Sequence, residues 1–316
     1  MLSRRHLKII LSLLLVGFVA RSVDFAKLAQ VIAGIPLWTI VVLCGGYFVG
    51  QLLSSIKWWI LARSCHIEAT FIEAFRIYFA AMFVNLAGVG TVGGDVLRGV
   101  LIGNARSKRA VGVASVVADR LHGLAVLAGL GTVSVGLFSH EVLPSYLSLM
   151  LCGLGGSIIL GWFLVPLVVA ILLPRESRYH SKAIEIARAF PTHPRTIASI
   201  TGISLLFHLT QIALHLCMAY GLGIEVSMTT LMTIVPFVNI VSSLPISWQG
   251  LGVRENAYRF FFVPAICSTE QAVAFGALWL LAVTTSALLG GLIGVITGAL
   301  SRVEEAEQSE AAAGPL

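Results

Sequence analysis

The sequence predicts an all-α polytopic membrane protein, with about six spanning helices and two re-entrant broken-helix hairpins arranged as an inverted repeat. Three observations carry this. Of 316 residues, 57% are apolar and only 11% are charged, where a soluble domain carries about 25% charged residues. The apolar runs are continuous and about 20 residues long, as spanning helices require, and lack the alternation of a transmembrane barrel strand. Two further apolar stretches are broken by glycine or proline and run directly into charged residues.

In chain order, the first stretch covers 7–23. It follows Ser3-Arg4-Arg5-His6-Leu7-Lys8, which resembles a twin-arginine export signal. No A-x-A-like cleavage site comes after it, so it reads as a retained anchor with a cytoplasmic basic flank. The second stretch, 35–56, ends on Lys57-Trp58-Trp59, which reads as an anchor at the membrane interface. Four more crossings are expected at 110–137, 146–173, 197–223 and 271–300. Between 175 and 195 lies the longest polar loop, with an amphipathic segment at 181–190, read as a solvated connection. Residues 1–302 form a single integral membrane domain, and 303–316 form an acidic, disordered cytoplasmic tail.

The two exceptional stretches are Phe71 to Gly88, leading into Gly93-Gly94-Asp95, and Thr229 to Leu244, leading into Pro245-Ile246-Ser247-Trp248-Gln249-Gly250-Leu251-Gly252. Broken helices at membrane depth are tolerated only where protein or a water-filled cavity surrounds them. Both therefore read as hairpins, near 71–98 and 229–255. With each hairpin returning to its own side, 15 of the 21 basic residues fall on the cytoplasmic side and four on the other. Counting either hairpin as a full crossing would put the 98–109 or the 175–195 cluster on the wrong side. The positive-inside rule thus gives six crossings with both termini in the cytoplasm.

The hairpins resemble each other. Val84-Asn85 precedes Gly93-Gly94-Asp95-Val96-Leu97-Arg98, and Val238-Asn239 precedes Gln249-Gly250-Leu251-Gly252-Val253-Arg254-Glu255. Three crossings separate the units, and an odd number inverts one relative to the other. Paired broken helices in inverted repeats are an architecture of secondary transporters, with the site where the breaks meet. The candidate substrate-binding residues are Asn85, Asp95, Arg98, Asp119, Arg120, Asn239, Gln249, Arg254 and Glu255. Arginine offers a planar fork for phosphate, and a carboxylate suits an ammonium group. The amides can satisfy backbone exposed at the breaks.

Asp119 and Arg120 lie inside a spanning helix, where each would cost at least ~2.5–3.5 kcal/mol unpaired at the bilayer centre. Two readings stand open for them: an ion pair locking helices together, or part of a substrate site. The Gly88-x-Gly90-x-x-Gly93 match to a dinucleotide fingerprint has neither the preceding strand nor the following acid, and reads as a helix break. His208, Gln211 and His215 share one helix face and read as helix–helix contacts. Gly290-x-x-x-Gly294-x-x-x-Gly298 lets another helix approach closely, within this chain or in a dimer. The five scattered cysteines read as packing residues. No catalytic constellation, metal site or cofactor is expected, and no nucleic-acid partner.

Taken in order, the "GGD-x-x-R" of Gly93–Arg98, the Asp119-Arg120 pair with Gly123, and the "G-x-G-x-R-E" of Gly250–Glu255 resemble the membrane domain of the lysylphosphatidylglycerol synthase family, known from the multiple peptide resistance factor. The resemblance spans about residues 8–300. It implies an inner-membrane protein of a bacterium or archaeon linked to lipid translocation. Full-length synthases carry a soluble aminoacyltransferase domain. Only a short tail follows residue 302 here, so that activity is not expected. The expected function is a lipid flippase or facilitator for a phospholipid or lipid-linked headgroup, and the expected partner is a membrane lipid, either an anionic phospholipid or a lipid-linked headgroup. The alternatives are a membrane-embedded enzyme, or a scaffold partner of a separate lipid synthase. A homodimer is compatible with either.

Overall fold

The computed structural model describes residues 14, 17, 18, 20, 21, 23–87, 93–104, 108–172, 190–244 and 247–299. Among them every regular element is helical. The chain runs through α1 (Phe25–Ala33), α2 (Leu37–Ser64), α3 (Phe71–Ala87), α4 (Gly93–Asn104), α5 (Arg109–Val142), α6 (Ser145–Leu172), α7 (Pro194–Gly221), α8 (Met228–Ser243), a one-turn 3-10 helix at Trp248–Gly250, α9 (Val253–Phe262) and α10 (Thr269–Ile296). Five of these are long and apolar enough to cross a bilayer: α2, α5, α6, α7 and α10. The protein is an all-α polytopic membrane protein. The predicted first crossing lies largely outside the described residues, as do the 181–190 segment, the acidic tail and the glycines of the dinucleotide-like match ahead of Gly93.

Helix ends follow local chemistry. Pro194 occupies the first turn of α7, where its missing N–H has no intrahelical partner to lose. Ser268 and Gln271 form a reciprocal capping box that starts α10. Ser227 caps α8 by accepting the Thr230 N–H at 3.1 Å. The short helix α1 is not among the elements expected from the sequence. Its start is set by Asp24, whose Oδ1 accepts the N–H groups of Ala26 and Lys27.

Large apolar side chains on α6, α7 and α10, among them Leu149, Phe163, Leu206 and Leu292, point outward and are exposed. Several charged side chains point inward. Arg98, Asp119, Lys57, Arg254 and Glu255 are all buried. A water-soluble protein has the opposite arrangement, and a body immersed in lipid requires this one.

Helix packing follows an exchange pattern. The two spans that precede the hairpins, α2 and α7, lie against each other. The first limb of the first hairpin, α3, packs on α10, the span that follows the second hairpin. Reciprocally, α8 packs on α5, the span that follows the first hairpin. Gly290 makes the α3–α10 contact close: a Cβ there would sit 2.5 Å from the Phe79 carbonyl oxygen. Gly290 therefore serves a contact within the chain. Two cores result. One joins α2, α7, α8, α9 and α10 around Leu43, Met218, Val235, Tyr258 and Phe275. The other joins α2, α3, α4 and α5 around Trp58, Ile77, Ile102 and Val116.

Candidate functional site

The two breaks are built from different chemistry. At the first, α4 starts on Gly93-Gly94, and the Gly94 N–H donates to Asn85 Oδ1 at 2.8 Å. This satisfies a backbone donor that a helix start in an apolar setting would otherwise leave bare. A side chain at Gly94 would meet the Ala81 carbonyl oxygen and the Asn85 amide. At the second break the chain turns through positive φ at Gln249 (51°), Gly250 (76°) and Gly252 (80°). The Gly252 N–H then donates to Glu255 Oε2 at 2.6 Å, capping α9.

The breaks touch. Gln249 Nε2 donates to the Asn85 carbonyl at 2.8 Å, across 164 residues of sequence. Gln249→Ala should remove this bridge and lower stability by about 1 kcal/mol. Thermal unfolding in detergent reads this, and an unchanged midpoint would mean that other contacts hold the breaks together.

The membrane-embedded charges pair in a crossed pattern between α4 and α5. Asp119, 4% exposed, receives Arg98 Nη2 at 2.9 Å on Oδ2 and Lys57 Nζ at 2.9 Å on Oδ1. Lys57 also donates to the Asp119 carbonyl at 3.0 Å. Asp95 takes Arg98 Nε at 3.3 Å on one oxygen and Arg120 Nε at 2.7 Å on the other. The Arg98 guanidinium lies against the rings of both Trp58 and Tyr78, at 4.8 and 5.0 Å from their centroids. Asp119 and Arg120, adjacent in sequence, thus serve different partners. Asp119 ties α2 and α4 to α5, while Arg120 stays half exposed.

Lys57 and Trp58 depart from the sequence reading. They are buried, at 6% and 0% exposure, inside a helix that runs on to Ser64. The reason is Asp119, whose carboxylate replaces water for the ammonium group. Trp58 donates its indole N–H to Ser115 Oγ at 3.3 Å. Lys57 and Arg98 therefore drop out of the cytoplasmic charge count.

A cavity of about 540 Å³ opens where these elements meet. Every candidate residue except Glu255 lines it: Asn85, Asp95, Arg98, Asp119, Arg120, Asn239, Gln249 and Arg254. Glu255 points away, onto its own helix start and against Gly276. Apolar walls from Val113 to Leu127 on α5 and from Ile203 on α7 complete the enclosure. Such a mixture of apolar walls and a few convergent polar groups is typical of a binding site. Sequence reasoning does not assign Lys57, Tyr47, Gln51, Tyr78, His208, Gln211 and Trp279 to this cavity, yet they line it. The buried cation was the findable one, because Asp119 needed a counter-charge.

The histidines make helix–helix contacts as expected. His208 Nε2 lies 3.1 Å from the Gly123 carbonyl, and His215 Nε2 lies 2.7 Å from Tyr258 Oη. Outside the spans, burial pushes the thiols of Cys65 and Cys267 up to about 11. Both are therefore poor nucleophiles, consistent with packing roles.

A helical membrane protein with a charged, half-apolar cavity between two broken helices is the class that this geometry defines. The chain belongs to the family of the lysylphosphatidylglycerol synthase TM region, whose model matches residues 6–291. The family points to a membrane protein of lipid metabolism or transport. Comparison with the curated proteins finds no match.

Proposed function

We propose that the protein moves a phospholipid or lipid-linked headgroup across the inner membrane, as a flippase or facilitator. The supporting observation is the cavity, a chamber of apolar walls and convergent charged groups at the junction of two helix breaks inside an apolar helical body. Val96, Val117 and Arg120 line it and are also exposed at its edge. A headgroup would enter there and slide past the buried charges, while its acyl chains stay in lipid. Keeping the chains in the bilayer avoids their hydration, so only the headgroup needs a polar path.

The reciprocal packing of α3 on α10 and α8 on α5, with α2 on α7, supports reading the chain as two inverted repeats with re-entrant hairpins. Repeats of that kind rock against each other around a fixed site. In this reading the termini are cytoplasmic, the chain crosses six times, and transport is downhill or driven by an ion or the membrane potential.

Reconstitution into liposomes with headgroup-labelled lipids tests the proposal. Wild type should accelerate movement between leaflets, and a well-folded Arg254→Ala variant should lose at least about 10-fold of that rate, an effect worth about 1.4 kcal/mol. Equal rates for the two proteins would remove the cavity from the mechanism. No movement by either, with folding verified, would favour an embedded enzyme or a scaffold of a separate synthase.

A further inference from the structure

We infer that the cavity selects a headgroup of net negative charge, bearing phosphate and no free amine, with Arg254 as its anchor. The inference rests on the transport reading above and adds the class of cargo.

Charge balance is the first argument. The lining holds four cations, Lys57, Arg98, Arg120 and Arg254, against two carboxylates, Asp95 and Asp119, an excess of two positive charges. Both carboxylates are already engaged by two cations each. Glu255, the nearest further acid in sequence, caps α9 and does not face the cavity. An ammonium headgroup would find no free carboxylate among the described lining residues. It would also meet net repulsion in a setting of low dielectric, where charge is weakly screened.

Unmet hydrogen-bond capacity is the second. Arg254 is 7% exposed, and among the described residues the acceptor found for it is the Gln249 carbonyl, at 3.2 Å from Nη2. Among those residues its Nε and Nη1 are buried without a partner, and so are Ser242 Oγ and Gln211 Nε2, which line the same cavity. No acidic side chain among the described residues pairs with Arg254. A buried guanidinium without a counter-ion is strongly unfavourable. A phosphate accepting two parallel N–H bonds from Nε and an Nη is the natural remedy. At each helix start one backbone donor is already taken, the Gly94 N–H by Asn85 and the Gly252 N–H by Glu255.

Arg98 is placed differently. Two carboxylates and two rings hold it, so it positions the network while Arg254 contacts the cargo.

The test is equilibrium binding to purified full-length protein in detergent. The probes are short-chain phosphatidylglycerol, phosphatidylcholine, lysylphosphatidylglycerol and inorganic phosphate. Wild type should bind phosphatidylglycerol at least about 10-fold more tightly than the zwitterionic and cationic lipids. Arg254→Gln should erase most of that margin. Should Arg254→Gln fail to fold, Ser242→Asp provides an independent variant. Ser242 and Arg254 Nη2 both lie within 3.5 Å of a point beside Gly250. A carboxylate at 242 would supply the missing counter-ion, stabilise the fold and weaken anion binding by a similar factor.

Equal or tighter binding of lysylphosphatidylglycerol by wild type would overturn the inference. So would folded Arg254→Gln and Ser242→Asp proteins with unchanged phosphatidylglycerol affinity. Inorganic phosphate competing as strongly as the lipid would assign the site to a soluble anion and overturn the headgroup assignment. Because binding is measured without a membrane, a failure of transport in liposomes and a failure of charge selectivity are separate results.

Discussion

Asp119→Asn should be the most damaging single substitution in the protein. It removes the one negative charge shared by Lys57 and Arg98, which are 6% and 2% exposed. Both cations are buried, and asparagine would leave each of them one carboxylate short. Losing one partner of a buried ion pair destabilises by about 3–5 kcal/mol, a large fraction of the total stability of an ordinary domain. Asp95 cannot compensate, because it already holds Arg120 as well as Arg98. The expected result is loss of the monodisperse species in detergent, or a steep fall in the thermal midpoint. A triple variant, Lys57→Met with Arg98→Leu and Asp119→Leu, removes the Asp119 cluster and leaves Asp95 paired with Arg120; it should recover much of that stability, because replacing a buried ionic triad by apolar residues is often neutral. It should not recover translocation. A normal midpoint for Asp119→Asn would show that the network does not hold the helices, leaving its charges free for cargo.

The spans were legible because membrane burial writes itself as long apolar runs. The predicted 110–137, 146–173, 197–223 and 271–300 lie within a few residues of α5, α6, α7 and α10. The breaks were legible because glycine and proline interrupt those runs. Long-range pairing was not legible. Asp119 and Arg120 stand side by side in sequence, but adjacent helical residues point about 100° apart. Each therefore finds a partner elsewhere, Asp119 on Lys57 and Arg98 and Arg120 on Asp95.

Lys57 reads as interfacial because an apolar run followed by Lys-Trp-Trp commonly ends at the membrane surface. Only the distant acid on α5 brings it inside. Glu255 carries a local signal of a different kind. A Glu three residues after a helix-starting glycine can cap that helix, and here it does. Asp24 ahead of Phe25 is the same kind of signal for α1.

Gly112→Val should have the second-largest effect, on the same helix pair but through shape. The α4 and α5 backbones meet at Gly99, Gly103 and Gly112. A Cβ on Gly112 would fall on the Gly99 carbonyl oxygen and sit 3.0 Å from Gly103 N and Cα. In reciprocal fashion, a Cβ on Gly99 would lie 2.6 Å from Val113 Cα. The obstacles are backbone atoms, so no rotamer change relieves them, and the helices must separate. Overpacking of this kind costs about 1–3 kcal/mol in itself. Separation would also stretch the Arg98–Asp119 and Arg120–Asp95 pairs, which cross the same interface further along α5. The combined loss should exceed the steric effect alone, and anion binding at the cavity should fall with it. Gly112→Ala should give a smaller loss in the same direction. On α6, Gly156 is exposed, and no atom lies within 4 Å of where its Cβ would be. Gly156→Ala should raise stability slightly, because alanine is the better helix former by about 0.8–1.0 kcal/mol. Thermal unfolding of the three variants beside wild type measures both claims. Equal midpoints for Gly112→Val and wild type would mean that α4 can leave α5 freely, and that the crossed ion pairs follow the packing without depending on it.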